Sequence, residues 1–203
     1  HSDMLLAGSI VSPSHAPTKL TTAYTYDVYG NKTQTSVTGY STSTGTNQTR
    51  ISKVVYGARG RYISYTENAL GEQNTYKYNG QVASNASGVT NSITQTSPNG
   101  IPTTTHYDDF QQVSSVNYPD SKTGTTARSF CNGCVTNAYF KITETLSGAP
   151  AKETFFDKWG RTVTSRVRGF DGSWWSTDVT YDAQGRQSRV YEPNSNFYTE
   201  TIY

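Results

Sequence analysis

The sequence predicts an all-β fold in which antiparallel β-hairpins repeat along the chain and lie side by side as a curved, open sheet. Three observations predict it. A short aromatic–acid–x–x–glycine–arginine phrase recurs at intervals of 22 to 30 residues, inside the range that marks repeat architectures. The 203 residues include 16 Tyr, 7 Phe and 3 Trp, with Thr throughout, and these types suit a pleated, half-buried surface. No stretch shows helical periodicity with capping residues at both ends.

The clearest copy of the phrase is Tyr181-Asp182-Ala183-Gln184-Gly185-Arg186. An Asp opening a tight turn accepts a hydrogen bond from an N–H two residues on, and Gly supplies the positive φ of a short hairpin loop with a bulge. Phe156-Asp157-Lys158-Trp159-Gly160-Arg161 is a second full copy, and Tyr26-Asp27-Val28-Tyr29-Gly30-Asn31 lacks only the Arg. Tyr107-Asp108 keeps the aromatic–acid start, while Tyr56 to Arg61 keeps the end and loses the acid. Tyr78-Asn79-Gly80 and Phe130-Cys131-Asn132-Gly133 are fainter echoes. The aromatic anchors at 26, 56, 78, 107, 130, 156 and 181 are spaced by 30, 22, 29, 23, 26 and 25 residues.

Taken in order, residues 1–22 read as a tag-like start, His1-Ser2-Asp3-Met4, followed by an irregular, proline-containing leader with a lone His15. The repeat array spans 23–203. Ala23 to Asp27 and Lys32 to Tyr40 form the first hairpin, and the Ser/Thr-rich insert at 41–47 lengthens a hairpin loop. Ile51 to Tyr56 pairs with Arg61 to Glu67, and Asn68-Ala69-Leu70-Gly71 connects to a weaker hairpin of Thr75 to Tyr78 and Gln81 to Asn85. Ser92 to Ser97, Thr103 to Tyr107 and Val113 to Tyr118 follow as strands, then strand–turn–strand over 137–154 with a turn at Ser147 to Pro150. Thr162 to Val167 and Ser176 to Tyr181 flank Phe170-Asp171-Gly172-Ser173, where Asp-Gly favours a two-residue hairpin turn. Each repeat then holds two turns of different kinds. One follows the anchor; the other carries Pro, Gly or Asn, as in Pro98-Asn99-Gly100, Pro119-Asp120 and Glu192-Pro193-Asn194. Connections this short require antiparallel pairing. Thr201-Ile202-Tyr203 read as the approach to an eighth anchor, so the array reads as truncated there, with an edge strand open to self-association.

Apolar residues make up 33% of the chain and charged residues 16%, so the sheet faces are polar but the composition is too aromatic for a disordered chain. A formal charge of +2 with no basic stripe argues against nucleic acid, and Lys158, Arg161, Arg166 and Arg168 read as a solvated strand face flanked by Asp157 and Asp171. Leu5 to Val11 is too short to span a membrane. Cys131 and Cys134 suggest a short disulfide or free thiols. Zinc needs four ligands, and the remaining candidates His15 and His106 lack ligand spacing; a redox pair wants a helix start. Asp27, Asp108, Asp157 and Asp182 lie a repeat apart and read as turn caps. No nucleophile elbow, phosphate loop or dinucleotide fingerprint occurs, and with three histidines the chain reads as a non-enzyme without metal or cofactor. Trp159, Trp174 and Trp175 are the candidates for stacking a sugar ring, against ordinary sheet packing.

The set of phrases resembles the tyrosine–aspartate (YD, or Rhs) repeat family, with Tyr118-Pro119-Asp120 and Tyr191-Glu192-Pro193 supplying the second turn. The resemblance covers roughly 24–203. The stretch from Tyr139 to Arg161 also looks like the segment before the repeats of insecticidal toxin-complex shell proteins. The likeness implies a large secreted or cell-surface bacterial protein whose hairpins wind into a hollow shell around a toxic C-terminal domain. Neighbouring repeats and that toxin domain are then the partners. Animal teneurins use a similar shell for adhesion, and a surface glycan would be the partner of such a binding module. The repeats themselves carry no chemistry in this family.

Overall fold

The computed structural model describes residues 5–11 and 19–203. The tag-like start at His1 to Met4 and the leader residues 12–18, with His15, lie outside the described residues. Among the described residues there are seventeen strands and no helix. The chain divides into two compact units, His1–Thr104 and Thr105–Tyr203. Each is an open, curved sheet of repeated antiparallel hairpins, not a barrel.

The first unit contains β1 (Gly8–Val11), β2 (Leu20–Tyr26), β3 (Lys32–Ser41), β4 (Thr46–Tyr56), β5 (Ile63–Glu67), β6 (Gln73–Tyr78), β7 (Gln81–Val82) and β8 (Ser92–Thr96). β9 (Pro102–Tyr107) begins in this unit. Strands β1 to β6 pair in sequence order, and β6 pairs with both β7 and β8. The leader is therefore not wholly irregular: Gly8 lies opposite Ala23 and Val11 opposite Leu20. Its side chains are mostly exposed and do not alternate, so only main-chain pairing holds it. The Ser/Thr-rich insert lengthens strands and not a loop, because Ser41 pairs with Thr46 and Tyr40 with Asn47 around a short turn. The expected partner strand at Gln81 to Asn85 shrinks to two residues. Beyond it Tyr78 pairs with Ile93, across a loop that tucks Ala83 and Ala86 against Tyr62 and Tyr78. The Tyr62 and Tyr78 ring centres are 4.7 Å apart, and Tyr62 Oη donates to Gly88 O at 2.8 Å.

The second unit holds the end of β9, then β10 (Val113–Asn117), β11 (Thr123–Phe130), β12 (Phe140–Leu146) and β13 (Ala149–Phe156). β14 (Thr162–Arg168), β15 (Trp174–Tyr181), β16 (Gln187–Tyr191) and β17 (Tyr198–Glu200) complete it. From β10 onward each strand pairs with the next. β11 is not among the strands expected from sequence. The expected turn at Ser147 to Pro150 is tighter, since Leu146 pairs directly with Ala149 and Pro150 lies in β13.

The core of this unit is Phe155, which is fully buried, and its neighbours on that face are charged. Alternation puts Glu153 and Phe155 on one side of β13, and Asp157, the first residue past the strand, is buried as well. Glu153 accepts from Lys141 Nζ at 2.7 Å on β12 and from Arg166 Nε at 2.7 Å on β14. The Arg166 guanidinium lies 4.8 Å from the Phe155 ring centre and 4.5 Å from that of Trp174. A buried carboxylate is costly unless paired and hydrogen-bonded, and here two cations and Thr143 Oγ1 surround it. Burial works to raise the Glu153 pKa, but the hydrogen bonds from Lys141 and Arg166 outweigh it and hold the carboxyl below its usual range.

Threonine has a direct role. Hydroxyls meet across neighbouring strands at Thr25–Thr33, Thr38–Thr49, Thr94–Thr104 and Thr125–Thr145, at 2.6 to 3.1 Å. Such pairs stabilise a sheet whose faces carry few large aliphatic side chains.

Candidate functional site

All seven anchors end a strand: Tyr26, Tyr56, Tyr78, Tyr107, Phe130, Phe156 and Tyr181 close β2, β4, β6, β9, β11, β13 and β15. The residue after each anchor donates its N–H across the turn, to Asn31, Tyr62, Ser92, Gln112, Tyr139, Arg161 and Arg186. The weak copies differ in turn length and keep this bond. Asn79 reaches over a long loop to Ser92, and Cys131 reaches Tyr139.

Four turns on the other edge close in the same way, while those at Ser41 to Thr46, Leu146 to Ala149 and Glu192 to Phe197 do not. Asn68 N donates to Glu72 O, Ser97 N to Ile101 O, Tyr118 N to Lys122 O and Gly169 N to Ser173 O. The last case replaces the expected two-residue Asp-Gly turn. Asp171 instead accepts Ser173 N at 2.9 Å, and Gly172 takes a φ of 81°. The turn at Asn68 was legible as Asn-x-x-Gly: its Oδ1 accepts Leu70 N and Glu72 N while its Nδ2 donates to Glu72 at 2.6 Å. It is the Asp–Arg turn with both partners exchanged.

The full copies share one geometry. Asp157 Oδ1 accepts Trp159 N and Arg161 N, both at 2.9 Å, and its Oδ2 accepts Arg161 Nε at 2.7 Å. Asp182 repeats this with Gln184 N, Arg186 N and Arg186 Nε. Asp27 takes Tyr29 N and Asn31 N, and Asp108 takes Phe110 N and Gln112 N. Burial opposes ionisation of Asp157, yet the Arg161 and Trp159 hydrogen bonds keep its carboxyl below the ordinary range. Gly30, Gly160 and Gly185 have φ of 84°, 81° and 82°, and the next strand bulges one residue past the turn, at Thr33, Val163 and Ser188.

Successive turns are clamped together. The Arg161 guanidinium lies 4.3 Å from the Tyr181 ring centre, and Tyr181 Oη donates to Thr162 O at 2.7 Å. Arg186 and Tyr203 repeat the relationship, at 4.3 Å and with Tyr203 Oη donating to Gln187 O at 3.2 Å. Tyr203 makes the same two contacts as Tyr181. In the first unit, Tyr78 Oη donates to Ile63 O and Tyr26 Oη to Leu6 O.

The three tryptophans do not converge. Trp174 and Trp175 are consecutive in β15 and face opposite ways, and Trp174 carries the Arg166 guanidinium. Trp159 stands at a turn tip, 69% exposed, with Lys158 and Arg161 each within 5 Å of its ring centre. Cys131 and Cys134 are free thiols here. Burial, then a hydrogen bond with Cys134, pushes the Cys131 thiol up to about 11, which disfavours the thiolate that a nucleophile or metal ligand needs. Among the described residues no group of three or more His, Cys, Asp or Glu is placed to hold a metal ion, and no helix is long and apolar enough to cross a membrane.

The second unit contains an open cleft of about 1260 Å³, floored by Thr164, Asp178, Thr180 and Tyr191. Tyr139 and Trp159 line it towards the anchor edge, and Ser195 and Asn196 towards the other.

No protein-family model matches the chain, and no curated protein matches it. Distant structural similarity links it to toxin-complex proteins. A crystal structure of TcdB2-TccC3 without its hypervariable C-terminal region is 14% identical, covering 98% of this chain and 13% of that one, at a TM-score of 0.39. A TcdB2-TccC3-TEV crystal structure is 12% identical over 93% of this chain and 12% of the other, at 0.35. A Photorhabdus luminescens Tc holotoxin pore is 11% identical over 86% and 15%, at 0.26. The chain therefore spans about an eighth of the first two proteins.

Proposed function

We propose that this chain is a non-catalytic structural segment of the tyrosine–aspartate repeat type, one arc of a wall that encloses or delivers a toxic domain of a secreted or cell-surface bacterial protein. The observation that carries this reading is the clamp between successive turns. Arg161 with Tyr181 ties one turn to the next, and Arg186 with Tyr203 repeats the contact; neither needs a ligand. Such a strip extends by repetition, each turn supporting its neighbour. The carboxylates of Asp27, Asp108, Asp157 and Asp182 are committed to their own turns. Partners are then the adjoining repeats and an enclosed domain.

The test uses the natural polypeptide from which this segment comes. Purified intact, it should protect a C-terminal domain from added protease, and Arg161→Ala with Arg186→Ala should shorten that protection. A natural polypeptide that ends in a membrane anchor with no enclosed domain would favour adhesion instead. A second reading, a carbohydrate-binding module, is favoured by the cleft of the second unit.

A further inference from the structure

We propose that Cys131 and Cys134 form a reversible thiol–disulfide exchange site. A small oxidised disulfide enters at Cys134, and Cys131 displaces it, closing the turn after β11 with a covalent bond. The first argument is position. Cys131 stands one residue past the anchor Phe130, where Asp27, Asp108, Asp157 and Asp182 stand past theirs. Each of those acids holds its turn by accepting two main-chain N–H groups. Asn79 does the same across its long loop, accepting Asn91 N and Ser92 N. Cys131 puts sulfur, a weak acceptor, in place of that oxygen.

The second argument is how this turn is held. It closes late, with Cys131 N donating to Tyr139 O at 2.8 Å. Its far limb is fixed, since Ala138 N donates to Val135 O at 3.2 Å and Tyr139 N to Phe156 O at 2.6 Å. Its near limb is not: among the described residues, no main-chain hydrogen bond involves residues 132–134. The thiols make the one tie. Gly133 takes a φ of 75° as the chain turns back, and Cys134 meets Cys131 in a hydrogen bond. Sulfurs already in contact need little main-chain movement to reach disulfide geometry. The bond would do covalently what the Asp oxygens do in the other turns.

Exposure assigns the two roles. Cys134 is exposed, while Cys131 is half-buried beside the Lys141–Glu153 ion pair. A bulky disulfide therefore reaches Cys134 first. The Cys134 thiolate attacks one sulfur of the reagent, whose S–S bond breaks and releases one small thiolate. Cys131 then gives its proton to solvent and attacks Cys134 Sγ, and the mixed disulfide breaks to release a second thiolate. The two cysteines lose two electrons and the reagent is reduced to two thiols. The product ends at an exposed sulfur in a short loop, which leaves it open to reduction. The segment it fixes runs on into Val135 to Tyr139, which line the cleft of the second unit. The redox state of the pair thus sets how firmly that side of the cleft is held.

The experiment incubates the reduced 203-residue protein with oxidised glutathione at pH 8, quenches with acid and measures intact mass. The parent protein should end as a monomer lighter by two hydrogen atoms, and dithiothreitol should restore it. Cys131→Ser should stop at one bound glutathione. Cys134→Ser should react at least about tenfold more slowly than Cys131→Ser, because only the buried thiol remains. Amide hydrogen exchange over residues 132–136 of the parent protein should slow on oxidation, a readout that needs neither variant to fold. The proposal is overturned if the parent protein stops at a mixed disulfide, forms a cross-linked dimer or does not oxidise. Equal rates for the two variants, or exchange unchanged by oxidation, would overturn it too. None of these outcomes touches the wall role, which needs no cysteine.

Discussion

Arg161 and Tyr181 are twenty residues apart in sequence and in contact, the guanidinium 4.3 Å from the ring centre and the phenol hydroxyl 2.7 Å from the carbonyl just past the arginine. The same cation also neutralises Asp157. One side chain thus completes its own turn and fastens the following one.

Arg161→Ala should therefore cost about 3 kcal/mol of stability, because it strands a buried carboxylate as well as losing the ring contact. Tyr181→Phe should cost only about 1 kcal/mol, since it removes one hydrogen bond and keeps the ring. Phe156 already serves as an anchor, stacked on Phe140 at 4.7 Å. Urea unfolding of the two variants would measure both, and equal costs would refute the clamp.

Three glycines at equivalent turn positions should rank in cost when changed to Ala. Around Gly160 nothing lies within 4 Å of an added Cβ, so Gly160→Ala pays only the strain of positive φ, about 1 kcal/mol. At Gly185 the new Cβ would stand 3.0 Å from Arg161 Nη1, which the clamp holds in place, so the loss is larger. Gly60→Ala is worst, because its Cβ would collide with the Tyr29 ring. Gln111 and Ser121 show that the strain alone is tolerated, with φ of 59° and 63°. Denaturation midpoints should fall in the order Gly160, Gly185, Gly60.

Acid should weaken the fold in a defined window. Glu153 and Asp157 are held below their ordinary values despite burial, by Lys141 and Arg166 for the first and by Arg161 for the second. Depressed carboxyl pKa values contribute stability that is complete above the unfolded values, about 4, and lost as pH falls through the folded ones. Urea midpoints should be flat from pH 7 to about 5 and drop steeply towards pH 3. Asp157→Asn should make that drop shallower, and an unchanged midpoint at pH 3 in the parent protein would sink the idea.

The raised Cys131 thiol predicts slow chemistry. At pH 8 iodoacetamide should alkylate Cys131 more slowly than free cysteine, and elemental analysis should find no stoichiometric metal. Rapid alkylation at Cys131, or one bound zinc per chain, would overturn this.

The strand ends and turns were legible in the sequence because they are local. Five residues suffice for an Asp oxygen to meet two N–H groups and for a Gly to take positive φ, as at Asp157 to Arg161. Seven anchors could be picked from sequence, and each ends a strand. At Tyr78 and Phe130 the closing main-chain bond is kept while the loop grows, and that bond leaves no mark on side-chain identity. The tertiary structure alone decided the rest. β1 pairs through main-chain groups that any residue carries, so nothing in Gly8 to Val11 announces it. Lys141, Glu153 and Arg166 become one network because the register lays three strands side by side, bringing together residues 12 and 13 apart. Trp174 and Trp175 face opposite ways, as strand alternation alone requires, while Trp159 stands apart at a turn tip. The cleft is lined in part by two turns on opposite edges that are each longer than the repeat requires. A local phrase specifies its own turn, but which turns face one another across a sheet is set by pairing register, a sum over distant main-chain contacts.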